Sequence, residues 1–291
     1  MALARGLPYR NNPIAMAWLS LLPILLFLIV FFFIPIGTLL QRSFFDPDFT
    51  LRNYAHIFLE PVYLHVLWIT FEIAGMVTLA TVFLGYPFAY AIYRTSGVLH
   101  WILLGLALLP FWTSLLVRTF SFMILLQNQG PINQILLTLH FVDKPVPLVY
   151  NLFGVLFGMT YMLLPYFVLP LYSTLDRIDP MLERCALGLG ASRIRAFFST
   201  VFPLSFPGVL SGAALVFMLS LGFFVTPALL GGPKQQMIST LIESQVNQLL
   251  NWGFASALCF VLILSTIVFG SILYGVGVLY SRKVLVQSQA N

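Results

Sequence analysis

The chain has 291 residues, of which 14 are Lys or Arg and 9 are Asp or Glu, so 8% carry charge while 60% are hydrophobic. A water-soluble surface needs about 25–35% charged residues, and the mean hydropathy is +0.96. These figures exclude a soluble monomer, a disordered tail, a nucleic-acid binder built on a basic face and a disulfide scaffold. The two cysteines, Cys185 and Cys259, lie in different segments with no metal-ligand spacing. What remains is an all-α integral membrane protein whose first partner is the lipid bilayer.

Helical crossing of a ~30 Å hydrocarbon core takes about 20 apolar residues. Six stretches qualify, at 17–40, 64–93, 99–126, 149–175, 206–230 and 253–280, leaving a short segment 1–16, a transmembrane region 17–281 and a tail 282–291. The runs are continuous and do not alternate with period two, which argues against a β-barrel. The first is too long for a signal-peptide core and lacks a nearby small-x-small site, so it reads as a retained helix. Orientation follows from Lys and Arg. With the N-terminus inside, Arg5, Arg10, Arg94, Arg177, Arg184, Arg193, Arg195, Arg282 and Lys283 lie inside, against Arg42, Arg52, Lys144 and Lys234 outside. Both termini are therefore expected to be cytoplasmic. Trp68, Trp101, Trp112 and Trp252 fall near span ends or within a few turns of them, as interfacial anchors do. Pro35, Pro87, Pro110, Pro165, Pro170 and Pro227 predict kinks or broken helices. The pairs Gly154/Gly158 and Gly208/Gly212 predict close helix packing.

Between the third and fourth spans, Gly130-Pro131 followed by an apolar-periodic run predicts a short interfacial helix with Pro131 at its first position. Asp143-Lys144-Pro145-Val146-Pro147 reads as an extended connector. The longest inner segment, about 176–205, holds seven charged residues. Asp179 is a natural N-cap with Pro180 behind it, Gly190 ends or kinks the helix, and Ser192 caps a second one over 193–201 that stops near Pro203. Two short helices, apolar on one face and basic on the other, would form a knob outside the membrane that another protein receives; an ordinary ordered loop is the alternative.

The run Cys185-Ala186-Leu187-Gly188-Leu189-Gly190-Ala191-Ser192, with Phe202-Pro203-Leu204 beyond it, resembles the "EAA" loop of binding-protein-dependent ABC importer permeases. That pattern is Glu-Ala-Ala, three residues, Gly, nine residues, Ile, one residue, Leu-Pro. With its glycine on Gly190 the proline falls on Pro203, and Glu-Ala-Ala falls on Arg184, Cys185 and Ala186, so Glu183 is displaced by one. Leu116-Val117-Arg118-Thr119-Phe120, Gly130-Pro131-Ile132-Asn133, Leu163-Leu164-Pro165-Tyr166, the run from Phe224 to Gly232, and Asn251-Trp252 are similar to the spermidine/putrescine-type subfamily. Its relatives also carry opines, phosphonates or metal ions. The resemblance implies a type I importer transmembrane domain in a bacterial inner membrane, paired with a homologous second permease. Two ATP-binding subunits and a periplasmic solute-binding protein would complete it. ATP and Mg would sit in those partners, since this chain has no Gly-x-x-x-x-Gly-Lys-Ser/Thr loop. Glu183, Arg184, Cys185, Ala186, Gly190, Ala191, Ser192, Arg193 and Pro203 would form the ATPase-docking loop, with no catalytic residue and no resident cofactor.

Two charges fall within spans, Glu72 in the second and Arg118 in the third, both roughly 12 Å below the outer surface at ~1.5 Å per residue. Such charges need a partner or water. Matching depth suggests that they pair with each other; contact of Glu72 with the solute, or snorkelling, are the alternatives. For a cationic amine the path would offer carboxylates and aromatic faces. Glu72, Tyr161, Phe223 and Phe224 are candidates, with Glu243, Asp46 and Asp48 near the mouth and Thr226 and Pro227 shaping the path. His56, His65, His100 and His140 are dispersed, so no metal site is expected. A secondary transporter or channel would show internal symmetry or a repeated polar filter, and a membrane enzyme would cluster Asp, His or Ser; the sequence has neither.

Overall fold

In hydrocarbon every backbone N–H and C=O must find a partner within the protein, so a crossing chain is helical. The computed structural model describes residues 13–45 and 49–289 and has no β-strand among them. In chain order the helices are α1 (Pro13–Leu28), α2 (Ile34–Phe44), α3 (Arg52–Leu59), α4 (Pro61–Arg94), α5 (Val98–Leu108), α6 (Leu115–Leu126), α7 (Pro131–Thr138), α8 (Leu152–Leu175), α9 (Pro180–Gly188), α10 (Arg193–Ala196), α11 (Phe202–Leu221), α12 (Val225–Leu230), α13 (Ile238–Asn247) and α14 (Trp252–Gln289). The expected mouth carboxylates Asp46 and Asp48, and Arg5 and Arg10, lie outside the described residues.

Among the described residues, five helical stretches are long and apolar enough to cross a membrane: Leu21–Phe44, Pro61–Arg94, Leu152–Leu175, Arg193–Leu221 and Trp252–Ile272. A sixth crossing exists if Val98–Phe111 and Leu115–Thr138 are taken together, but they meet at 98°. The expectation of one straight span over 99–126 is therefore corrected. Pro110 has no N–H to continue the ladder, so α5 tightens into a 3-10 turn at Leu109–Phe111 and the chain turns before α6. By contrast α4 runs through Pro87 and α8 through Pro165 and Pro170 without interruption.

The fifth span is also displaced from 206–230. Its helix starts at Arg193 and ends at Leu221, while Val225–Leu230 forms the separate α12. The second helix of the inner segment does not stop near Pro203. A π turn over Phe197–Val201, closed by the Phe202 N–H donating to the Phe197 carbonyl, widens the helix where the proline ring would otherwise strike the preceding turn. The same device joins α1 to α2, with a π turn at Ile29–Phe33 just before Pro35. The tail placed at 282–291 is helical as far as Gln289, as the continuation of α14.

α8 lies against both α4 and α11 and is the centre of the bundle. Its Val155, Met159, Leu163, Phe167, Leu171 and Leu175 are fully buried or nearly so and pack with Ile73, Val77, Ala89 and Ile92 of α4 and Val216 of α11. Glycines set the closeness of these contacts. A Cβ on Gly212 of α11 would stand 3.0 Å from the Phe167 carbonyl oxygen and 3.2 Å from its Cα, and one on Gly158 of α8 would collide with Thr226 and Leu230 of α12. The two small-residue pairs therefore serve packing, as their spacing predicts. A polar tie adds direction: the Ile238 N–H donates to Thr70 Oγ1 at 2.8 Å, joining α13 to α4. α2 lies along α14 and is joined to α3 by a 2.7 Å hydrogen bond between Ser43 and Tyr54, while 21–34 of the first span leaves its side chains exposed.

The close α8–α11 approach yields a test. Gly212→Ala should lower stability by about 1–3 kcal/mol through overpacking against fixed backbone, whereas Gly105→Ala, with nothing within 4 Å of its added Cβ, should be neutral or slightly stabilising. Thermal melting in a single detergent distinguishes the two, and equal melting would refute the packing role.

Candidate functional site

The inner segment folds as its local chemistry dictates. The Asp179 side chain accepts from the Met181 N–H at 2.8 Å, with Pro180 at the first helical position of α9. At the other end Gly190 takes φ +89°, a left-handed conformation open to glycine. The Ala191 N–H then reaches the Ala186 carbonyl and the Gly190 N–H the Leu187 carbonyl, a Schellman closure. Ser192 Oγ accepts from the Arg195 N–H at 3.3 Å and starts α10. The two short helices form the expected knob. Leu189 at its tip is 90% exposed and Ile194 73%, apolar surface with no neighbour in this chain. Arg184, Cys185, Ser192 and Arg193 are exposed beside them, with Ala186 and Ala191 half-buried.

Glu183 is the exception. It is buried, and its carboxylate receives a hydrogen bond from Arg94 Nη1 at 2.7 Å. Arg94 is the last residue of α4, a helix of 34 residues and so ~51 Å long, which carries it past the hydrocarbon. The carboxylate next to the Glu-Ala-Ala position thus ties α9 to the bundle. Arg94 enters the sequence reading only as an orienting charge; its position as the last residue of a span longer than the bilayer core is the signal that marks it. Behind the pair, Phe197 of the π turn meets Tyr90 of α4 edge-on at 5.0 Å, and Tyr86 hydrogen-bonds Ser205 at 2.9 Å. The knob is therefore seated on α4 at several points.

The expected pairing of Glu72 with Arg118 does not form. Arg118 lies just after the break in the third span. Its guanidinium donates to the carbonyls of Pro110 and Thr113, to Thr113 Oγ1 at 2.9 Å through Nε, and to Met162 Sδ of α8, with the Tyr161 ring 5.8 Å away. The Pro110 and Thr113 carbonyls lie at the break between α5 and α6, where the helical ladder stops, and a cation there also favours the negative end of the α5 dipole. Glu72 lies on the exposed face of α4, one turn from the exposed Trp68. Depth fixed one coordinate of the two charges; their azimuth about the helices differs.

The other expected path residues occupy several environments. Tyr161 is half-buried and edge-on to Phe122 at 5.1 Å. Phe223 is half-buried against the central core and its carbonyl accepts from Ser239 Oγ at 2.7 Å, while Phe224 is exposed. Thr226 and Pro227 are buried in α12 against α8. Among the described residues no group of three His, Cys, Asp or Glu side chains could hold a metal ion. The interfacial helix is present as α7, and its buried Asn133 exchanges hydrogen bonds with Val146 at 2.8 and 3.0 Å, fastening the expected extended connector.

The model of the family described as "Binding-protein-dependent transport system inner membrane component" matches residues 13–286. The chain belongs to this family. The spermidine/putrescine transport system permease protein PotB of Escherichia coli (strain K12) is 35% identical over 254 residues, covering 84% of this chain and 91% of that protein. PotB of Haemophilus influenzae is 32% identical over 274 residues, covering 93% and 94%. Among solved structures, a bacterial alginate ABC transporter in complex with alginate pentasaccharide-bound periplasmic protein superposes with a TM-score of 0.72 at 17% identity, over 89% of this chain and 92% of its own. That likeness establishes the shared fold. This inner membrane component is therefore a multi-pass transport subunit.

Two tests follow from the two anchored charges. Breaking the seat with Glu183→Gln or Arg94→Gln should loosen α9, and a double-mutant cycle should show coupling on the order of 1 kcal/mol, reduced from a fully buried pair by the exposure of Arg94. Hydrogen exchange of 180–190 reads it, and additive effects would remove the tie. Arg118→Met should cost about 1–3 kcal/mol by leaving carbonyls unpaired at the break, while Glu72→Gln leaves melting unchanged. If Glu72→Gln rescued Arg118→Met, the two charges would be coupled after all.

Proposed function

We propose that this chain is one of two membrane subunits of an ATP-driven importer that passes a polyamine or related small amine from a periplasmic binding protein into the cytoplasm. The observation that carries the reading is the α9–α10 knob: a structured, apolar-tipped projection anchored to the bundle and uncovered in the isolated chain. The family membership and the two PotB relatives support the same reading and supply the solute class.

On this reading both termini are cytoplasmic, as the excess of Lys and Arg on that side requires. A homologous second permease covers the exposed membrane faces of this chain and encloses the path with it. Two ATP-binding subunits hold ATP and Mg. Each permease offers its knob to one of them, through Arg184, Cys185, Ala186, Gly190, Ala191, Ser192 and Arg193, while Glu183 holds the knob to α4 and Pro203 marks where it joins α11. Closure of the ATP-binding pair then moves the knob, and the bundle exchanges an outward-open for an inward-open cavity as a rigid body. Glu72 faces the amine or the partner permease, because a carboxylate on an exposed membrane face is costly without a cation or water. Tyr161, Phe223 and Phe224 provide aromatic surface, Thr226 and Pro227 fix the α12 turn, and Arg118 stabilises the broken third span against which the cavity opens.

Proteoliposomes carrying this chain, the second permease, the ATP-binding subunits and the binding protein should accumulate labelled spermidine or putrescine only with ATP, and omission of any component should abolish uptake. Uptake without ATP or binding protein would refute the importer reading. Uptake of an opine, phosphonate or metal ion in place of amines would move the solute assignment alone. Glu72→Gln should assemble normally and reduce amine uptake at least tenfold; failure to assemble would make its role structural.

A further inference from the structure

A cleft of about 440 Å³ opens between the end of α4 and the two helices of the knob. Arg94, Arg184 and Arg193 line it, with Glu183 beneath and Tyr93 and Leu187 as walls. Its charge is unbalanced. Glu183 is the lone carboxylate among these residues and is engaged by Arg94 at 2.7 Å, which leaves the guanidinium groups of Arg184 and Arg193 facing the opening. The nearest carboxylates in sequence are committed elsewhere: Asp179 caps α9 through the Met181 N–H, and Asp176 lies 3.4 Å from the Tyr172 hydroxyl. Residues 1–12, with Arg5 and Arg10, and residues 281–291, with Arg282 and Lys283, hold no Asp or Glu side chain.

We infer that this cleft is a receptor for a carboxylate side chain on the docking face of the ATP-binding subunit, held in a fork by Arg184 and Arg193. The inference rests on the importer reading above and adds the chemistry of the partner surface: acidic at the cleft, apolar around it. Arginine is suited to the task because its planar guanidinium binds a carboxylate through two parallel hydrogen bonds. The apolar contact comes from Leu189 and Ile194, 90% and 73% exposed beside the cleft, which a free phosphate would leave uncovered. A lipid headgroup is disfavoured by position: α4 is ~51 Å long against ~40–45 Å for a bilayer with its headgroups, so the cleft past its end reaches the aqueous boundary. The cleft shares Arg94 and Glu183 with the seat, but Arg184 and Arg193 are not members of that ion pair, so both can be changed while the pair is kept.

The test uses the assembled complex in nanodiscs of phosphatidylcholine alone. R184E/R193E should retain at least tenfold less of the cognate ATP-binding subunit than the wild-type chain, and R184Q/R193Q should fall between them. Wild-type retention should weaken as salt rises and the variants' retention should depend on salt less. Reversing one acidic residue on the docking face of the ATP-binding subunit to Arg should restore retention by R184E/R193E. Equal retention by wild type and R184E/R193E overturns the inference, and so does a difference in retention that appears only when phosphatidylglycerol is added to the nanodiscs. Failure of the wild-type chain to retain any ATP-binding subunit would instead overturn the importer reading itself.

Discussion

The structure depends on one constraint: within lipid, backbone groups that leave the helical ladder must be paired by the protein itself. At Pro87, Pro165 and Pro170 the helix runs on, and at three other prolines the fold answers in two further ways. Where the chain must continue straight, at Pro35 and Pro203, a π turn placed just before the proline widens the helix and keeps it continuous. Where it must turn, after Pro110, the helix ends and the guanidinium of Arg118 takes up the loose carbonyls. A charge that looks expensive in a hydrophobic span is there because the backbone beside it needs donors. The intramembrane arginine and the broken helix explain each other.

The same logic distributes the scarce charges. With 8% of residues charged, an ionised side chain in or beside the membrane is there for a stateable reason. Arg118 serves a helix end and Arg94 and Glu183 join a helix end to a loop. Arg184 and Arg193 remain turned outward beside them. Glu72, on the uncovered face of α4, has no basic side chain among the described residues within ion-pair distance. The charges satisfied inside the chain are thus separable from those that await something else, and the second set marks the surfaces that assembly covers.

Much of this was legible in the sequence wherever a feature is decided within a few residues. Asp179-Pro180, Gly190 and Ser192 gave the knob its caps because capping is a local hydrogen bond to a neighbouring N–H. Gly130-Pro131 gave α7, and Gly212 gave the α8–α11 approach. The misreadings share another cause. Pro203 reads as a stop because a proline ends a regular α-turn, yet a single wider turn admits it. Arg118 was matched to Glu72 because depth along two helices is readable from sequence, while rotation about them is not. The 98° bend at Pro110 then removed the parallel geometry on which the matching relied. Arg94 and Glu183 are 89 positions apart, and only the packing of α4 against the knob brings them together.

That packing also determines how force can travel. The knob is joined to the bundle twice, by the Arg94–Glu183 pair to the end of α4 and by unbroken helix from Arg193 to Leu221 into α11. Both α4 and α11 lie against α8, and their contacts are fixed by glycines and by large side chains such as Phe167. A close-packed interior transmits displacement rather than absorbing it. A push on α9 therefore reaches the three central helices together, and α12, although separated from α11 by the break at Gly222–Phe224, is packed on α8 through Gly158. The π turn over Phe197–Val201 is an irregular point on this route, of the kind found inside α-helices at functional sites. It lies between the knob and the membrane, where a small change of angle in α10 becomes a larger displacement at the far end of α11, about 43 Å away along the 29 residues of that span. Rigid helices joined to the knob through one irregular turn let a push on α9 reach the centre of the bundle.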